Sequence, residues 1–210
     1  MIIGIAGRMN TGKDTLGEIF AEELTNFKVK AFADKLRAVA EILTGIPAEK
    51  FKDSLFKTQA LPKEWCWDND EDDPMYVREL LQELGTECIR EFVHEDAWVN
   101  ALFADYKEEE LGCITLNPNT NEEKKVMQTG SYPNWVITDV RFPNEAKAIR
   151  DRDGLLIKLN RIKAPVNDHK SELALLNWPD YNYVYDNDGD LDDLRAFAKK
   201  VIKDNGLDKI

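Results

Sequence analysis

Met1-Ile2-Ile3-Gly4-Ile5-Ala6-Gly7-Arg8-Met9-Asn10-Thr11-Gly12-Lys13-Asp14-Thr15 opens the chain, and its reading decides the fold class. Ile2 to Ala6 is a short apolar run ending in glycine-rich sequence, the pattern of a buried strand. Beyond it Leu16, Ile19, Phe20 and Leu24 share one helical face. Between the two, Gly7 to Lys13 matches GxxxxGK. Glycines let the backbone curl so that successive N–H groups face phosphate oxygens, and a helix N-terminus adds partial positive charge. Lys13 sits where it bridges the β- and γ-phosphates of a bound nucleotide. The bare pattern is not rare by chance and also describes an ordinary glycine turn. A buried strand before it and an amphipathic helix after it supply the context that makes it a phosphate loop.

The loop departs from the usual pattern at one place. Asp14 stands where a Ser or Thr hydroxyl usually meets Mg²⁺, and the hydroxyl moves to Thr15. A carboxylate there holds the metal directly or through water, since Mg²⁺ takes oxygen ligands and keeps several of its waters. A nucleotide and Mg²⁺ are therefore expected at this loop. Arg8, Asn10, Thr11, Gly12, Lys13, Asp14 and Thr15 are the expected residues around them.

Working outward, strands and helices alternate. Val29 to Phe32 is a strand candidate, and Asp34 is expected to cap a helix through Leu43. Residues 45–73 are irregular, with a short helix near Ala48 to Phe51. Pro74 is expected to open a helix carrying Val77, Leu80, Leu81, Leu84 and Cys88, with Gly85 ending it and another following. Asp96 can cap a helix from Trp98 to about Tyr106. Ile114–Leu116 and Val126–Met127 flank the turn-rich Asn117–Asn121 as a hairpin. Trp135–Thr138, Leu155–Leu159 and Tyr183–Tyr185 are strands, Pro143 starts a helix to about Arg150, and Asp190 caps the last helix. The fold class this predicts is α/β, three layers with a mostly parallel sheet between helices.

A second constellation follows the strand at Trp135. Thr138-Asp139-Val140-Arg141-Phe142-Pro143-Asn144-Glu145 falls at the carboxyl end of that strand, where α/β proteins bind ligands. A phosphoryl acceptor that is itself a phosphate needs cationic groups, because donor and acceptor carry like charge. Arginine suits this, as its fork binds phosphate bidentately. Arg141 is placed to clamp an acceptor phosphate, Asp139 to hold Mg²⁺ through water or take a proton, and Glu145 to orient Arg141 or join the metal shell. A helix start with an ordinary salt bridge is the competing reading.

Arg78 and Gln82, four apart, share a helix face opposite Val77, Leu81 and Leu84, where they suit an acceptor phosphate and a base edge. Exposed Arg and Gln on a surface helix are commoner. Arg37 and Arg90 are further candidates for substrate binding. Arg161, followed by Lys163, His169 and Lys170, heads a loop able to close on the donor and exclude water. Trp65 and Trp67 can stack on a base or simply pack their loop.

Composition removes other classes. The chain has 210 residues and net charge −12, which argues against a general nucleic-acid binder. No stretch approaches the roughly 20 apolar residues of a membrane span, and the short apolar start lacks the shape of a signal peptide. Cys66, Cys88 and Cys113 show no CxxC spacing and read as reduced thiols of a cytoplasmic protein. A GTPase base-reading Asn-Lys-x-Asp motif is absent. The acidic run Asp68 to Asp73 with Glu79 lacks the glycine a calcium loop requires at its sixth position. Two histidines form no HxxxH, and no serine lies in GxSxG.

Taken together, Gly7-x4-Gly12-Lys13-Asp14-Thr15, Arg78-x3-Gln82-x2-Gly85-Thr86-Glu87, Trp98-Val99 and Thr138-Asp139-Val140-Arg141-Phe142-x-Asn144-Glu145 resemble the deoxynucleoside monophosphate kinases of tailed bacteriophages. His169-x-Ser171-Glu172 and Asn187-Asp188-Gly189 fit too, so the likeness spans residues 2 to about 195. It implies a single phosphate-loop kinase domain. The core is expected over about 1–44 and 135–210, a helical acceptor-binding insert over about 45–106, a hairpin insert over about 107–134 and a lid over about 161–172. It implies transfer from ATP to a deoxynucleoside monophosphate (dNMP) with Mg²⁺. Donor and metal roles fall to Lys13, Asp14 and Thr15, and transfer roles to Asp139, Arg141 and Glu145. A homodimer contact and a solvent-exposed hairpin both fit the 107–134 insert. Kinases of dephospho-coenzyme A or phosphomevalonate, and a non-catalytic ATP-binding subunit of a nucleotide-synthesis assembly, are the rival readings.

Overall fold

In the computed structural model, residues 1–66, 73–109, 111–116, 123–128, 130–162, 174–175 and 178–209 are described. Trp67, residues 68–72 of the acidic run, the expected turn at 117–121 and Lys163, His169, Lys170, Ser171 and Glu172 of the expected lid lie outside them. The chain forms two compact units, Met1–Lys30 with Phe103–Ile210, and Ala31–Leu102.

The first unit is built on five strands, β1 (Ile2–Gly7), β2 (Phe27–Lys30), β5 (Asn134–Val140), β6 (Leu155–Asn160) and β7 (Tyr183–Asp186). All pair in parallel, in the order β2-β5-β1-β6-β7. This is the α/β architecture read from the sequence, and it is consistent with a phosphate-loop kinase fold. β1 is central and apolar throughout, as a strand covered on both faces must be. Ile3 and Ile5 join Val136, Leu155 and Ile157 beneath α1 (Lys13–Glu23) and the C-terminal helix α6 (Leu191–Asp204). Gly4 points the other way, and a Cβ on it would lie 2.6 Å from Ile149 of α5 (Pro143–Arg150). The alternation of the strand thus assigns one helix layer to each face.

β3 (Leu111–Leu116) and β4 (Glu123–Gln128) form a separate antiparallel pair, from Leu111 opposite Gln128 to Leu116 opposite Glu123. The segments flanking this hairpin meet where Glu109 N–H donates to the Ser131 carbonyl at 3.2 Å. Tyr106 stacks on Tyr132 with ring centroids 5.1 Å apart and meets Trp135 edge-on at 4.8 Å.

The second unit holds α2 (Ala33–Thr44), three short 3₁₀ turns, α3 (Val77–Gln82), a π-helix (Glu83–Val93) and most of α4 (Ala97–Phe103). Its core is Ala40, Phe51, Leu61, Val77 and Leu80. α3 starts at Val77, three residues after Pro74, because Met75 and Tyr76 are extended. Leu61 N–H donates to the Met75 carbonyl, and Ala60 pairs with Tyr76 as an isolated bridge. Glu79 then accepts from Tyr76 N–H at 2.8 Å and closes the helix start. Gly85 does not break the helix. A Cβ there would meet Leu36 of α2 at 3.0 Å, and the Gly85 carbonyl accepts from the Trp98 indole N–H at 2.8 Å. The glycine permits close approach of the π-helix to α2, and its carbonyl meets a side-chain donor.

Candidate active site

The Gly7–Lys13 loop begins where β1 ends. Gly7 cannot carry a Cβ, which would fall 2.5 Å from the Leu159 carbonyl oxygen of the neighbouring strand. Asn10 takes the left-handed conformation at φ 62°, which Asn tolerates better than most residues. Gly12 at φ 95° turns the chain into α1. Three donors meet on the Arg8 carbonyl, namely Thr11 N–H at 3.4 Å, Thr11 Oγ1 at 2.9 Å and Lys13 Nζ at 2.6 Å. Thr11 and Lys13 are buried, whereas Asp14 and Thr15 in the first turn of α1 are exposed. Gly12 at the N-cap offers the first-turn amides no side-chain acceptor, and helix N-termini of that kind are able to receive an anion.

β5 delivers the second constellation to the same edge of the sheet, because Ala6 of β1 is paired with Val140 of β5. Asp139 and Arg141 are half-buried. Phe142, held extended before Pro143, gives the helix an abrupt start. Glu145 is 1% exposed. Its Oε2 accepts from Arg141 N–H at 2.7 Å and Phe142 N–H at 3.1 Å. Of the roles read from the sequence, this geometry fits orientation of Arg141. The carboxylate acts on the backbone of the turn that carries the guanidinium.

The ends of β6 and β7 complete the edge. Gly7 is in register with Leu159, and Asn160 with Asp186. Arg161, exposed, follows directly. Ile162 N–H donates to Asp188 Oδ1 at 2.9 Å. Asn187, for which sequence reasoning gave no role, is 5% exposed and donates from Nδ2 to the Thr11 carbonyl at 2.9 Å. The Asn187-Asp188-Gly189 match in the sequence was the signal that could have found it.

The remaining candidates lie in the second unit. Arg37 is ion-paired at 2.6 Å with Asp34 of its own helix and only 13% exposed, which accounts for it within α2. Arg78 and Gln82 are half-buried on α3, and Arg90 of the π-helix donates to the Glu95 carbonyl at 3.3 Å. Arg78 and Gln82 are thus brought together on one short helix. No group of three or more His, Cys, Asp or Glu able to hold a metal occurs among the described residues. The same residues contain no helix long and apolar enough to cross a membrane.

A model of the family described as deoxynucleotide monophosphate kinase matches residues 40–198. The chain belongs to the deoxynucleotide monophosphate kinase family. The matched span contains Arg78, Gln82, Arg90, Asp139, Arg141, Glu145, Arg161 and Asn187, while Gly7–Lys13 precedes it. The chain is also 26% identical over 189 residues to a protein of Acanthamoeba polyphaga mimivirus named "Putative deoxynucleotide monophosphate kinase". That similarity covers 88% of this chain and 86% of the viral one. Family membership and the viral relative agree on a kinase of deoxynucleotides.

Proposed function

We propose that this kinase transfers the γ-phosphate of ATP to a dNMP, giving dNDP and ADP, with Mg²⁺ as the metal. The observation that carries this reading is the pairing of Ala6 with Val140. It sets the Gly7–Lys13 loop and a turn carrying Asp139 and Arg141 at the ends of adjacent parallel strands. The family supplies the acceptor class.

In the transfer, an oxygen of the acceptor phosphate attacks the γ-phosphorus. The bond from that phosphorus to the β–γ bridging oxygen breaks, and its electron pair leaves with ADP. The protein's work is positioning and neutralising charge. The amides of Gly12, Lys13 and the α1 first turn receive the donor phosphates, and Lys13 exchanges the Arg8 carbonyl for β- and γ-oxygens. Arg141 holds the acceptor phosphate in line, and Arg161 approaches the transferring group and excludes water. Arg78, Gln82 and Arg90 belong to the second unit, and their acceptor-binding role rests on the sequence alone, with Arg37 the weakest of that set because of its bond to Asp34. Asp14 and Thr15 are exposed oxygen donors and Asp139 is half-buried, which fits Mg²⁺ held by one or two carboxylates and the substrate phosphates. Bound there, the ion offsets the charge of the phosphates.

The test is ADP release from ATP with each dNMP and its ribose counterpart supplied separately, for wild type and Lys13→Ala. Turnover with at least one dNMP, reduced by about a hundredfold or more in the variant, is expected. ATP binding with no turnover on any monophosphate would overturn the reading.

A further inference from the structure

We infer that Asn187 is a positioning residue of the donor site, one that fixes the direction of the Gly12 N–H and ties the phosphate loop to the segment bearing Arg161. The inference rests on the phosphate-transfer reading above. Asn187 follows β7 and is 5% exposed. A carbonyl oxygen can only accept, so the side chain presents its NH₂ to the Thr11 carbonyl, at 2.9 Å. In a trans peptide the C=O and the next N–H point in opposite directions across one plane. Pinning the Thr11 carbonyl on Asn187 therefore turns the Gly12 N–H to the other side, away from Asn187. That N–H is among those a phosphate loop must aim at its ligand.

The geometry also explains Gly12 beyond its φ. A Cβ at Gly12 would lie 2.6 Å from Asn187 Nδ2, so the glycine makes room for the hydrogen bond. The main chain of Asn187 faces the other way and donates to the Asn160 carbonyl at 2.9 Å. Asn160 Nδ2 in turn donates to Asp186 Oδ1 at 2.9 Å, and Asp188 Oδ1 accepts from Ile162 N–H. Arg161 is thus bracketed between two anchored neighbours, and one residue, Asn187, belongs to both the loop's support and the bracket. A mere ATP-binding loop needs the first connection. The second sets Arg161 in register with the loop that holds the group being transferred.

The test uses the full chain with Asn187→Asp, which keeps the size but replaces the donor by a carboxylate facing a carbonyl, and Asn187→Ala. The readouts are the KM for ATP, the KM for the dNMP, amide hydrogen exchange over residues 8–13 without nucleotide, and thermal unfolding. We expect the ATP KM to rise about tenfold, as for one lost hydrogen bond, with the dNMP KM little changed and exchange over the loop accelerated in both variants. Equal rises of both KM values in step with lowered Tm, an unchanged loop exchange, or failure of both variants to fold would each overturn positioning and leave Asn187 a stability residue. Should the wild type turn over no dNMP, the transfer reading falls by itself. ATP binding and loop exchange still judge Asn187.

Discussion

Lys13 is 7% exposed, with its ammonium 2.6 Å from the Arg8 carbonyl. A buried cation without a partner is costly, and the Arg8 carbonyl supplies one. Glu145 illustrates the opposite case, an anion spent on main chain. Removing it leaves the Arg141 and Phe142 amides without their acceptor, which costs about 1–3 kcal/mol where such groups are buried. Glu145→Ala is therefore expected to lower Tm and to raise the dNMP KM more than the ATP KM, as measured by thermal unfolding and steady-state kinetics. An ATP-selective effect would contradict its role behind Arg141. The sequence made Asp139, Arg141 and Glu145 legible as a group because a strand end followed by Pro143 is a local signal. It did not reveal what Glu145 bonds, since a carboxylate three residues into a helix reaches backbone or ligand depending on the turn. Asn187 stayed hidden for a related reason. Its partner Thr11 is 176 residues away, and local pattern says nothing about such a pair.

Among the elements, the apolar strands were readable because burial on both faces leaves a continuous hydrophobic run. Pro143–Arg150 and the Asp190 cap appear as read, with Asp190 accepting from Asp192 and Asp193 N–H. β2 instead runs Phe27–Lys30, two residues before the expected Val29 to Phe32. It is an edge strand with Val29 turned outward, and Asp34 takes the Ala31 N–H at 2.8 Å, drawing the chain out of the sheet. Asp34 thus closes the start of α2 from inside the helix, which begins at Ala33. The π-helix was illegible because Gly85 reads as a stop. Its carbonyl bond to Trp98 is a tertiary fact. Trp98→Phe keeps most of the ring and removes that N–H from the buried Gly85 carbonyl. We expect about 1–3 kcal/mol of lost stability, read by chemical denaturation of the full chain. A variant as stable as wild type would show that the Gly85 carbonyl does not depend on the indole.

For the whole molecule, the −12 net charge opposes the approach of ATP and dNMP, both anions. Moderate salt screens that repulsion over about 8–10 Å, so kcat/KM should hold or rise between low and physiological ionic strength at constant free Mg²⁺. A steep fall would mean that local cations at the sheet edge dominate the encounter instead. Cationic groups at that edge, Lys13, Arg141 and Arg161, come from three separate strand ends, and the parallel sheet is what assembles them. On the proposed function, this edge moves a phosphoryl group between two nucleotides. That transfer is tested most directly by following ATP labelled in its γ-phosphate in the presence of a dNMP, with and without chelation of Mg²⁺. Label is expected in the dNDP formed, stoichiometric with ADP and lost on chelation. Label released as inorganic phosphate, with none in the deoxynucleotide, would contradict it.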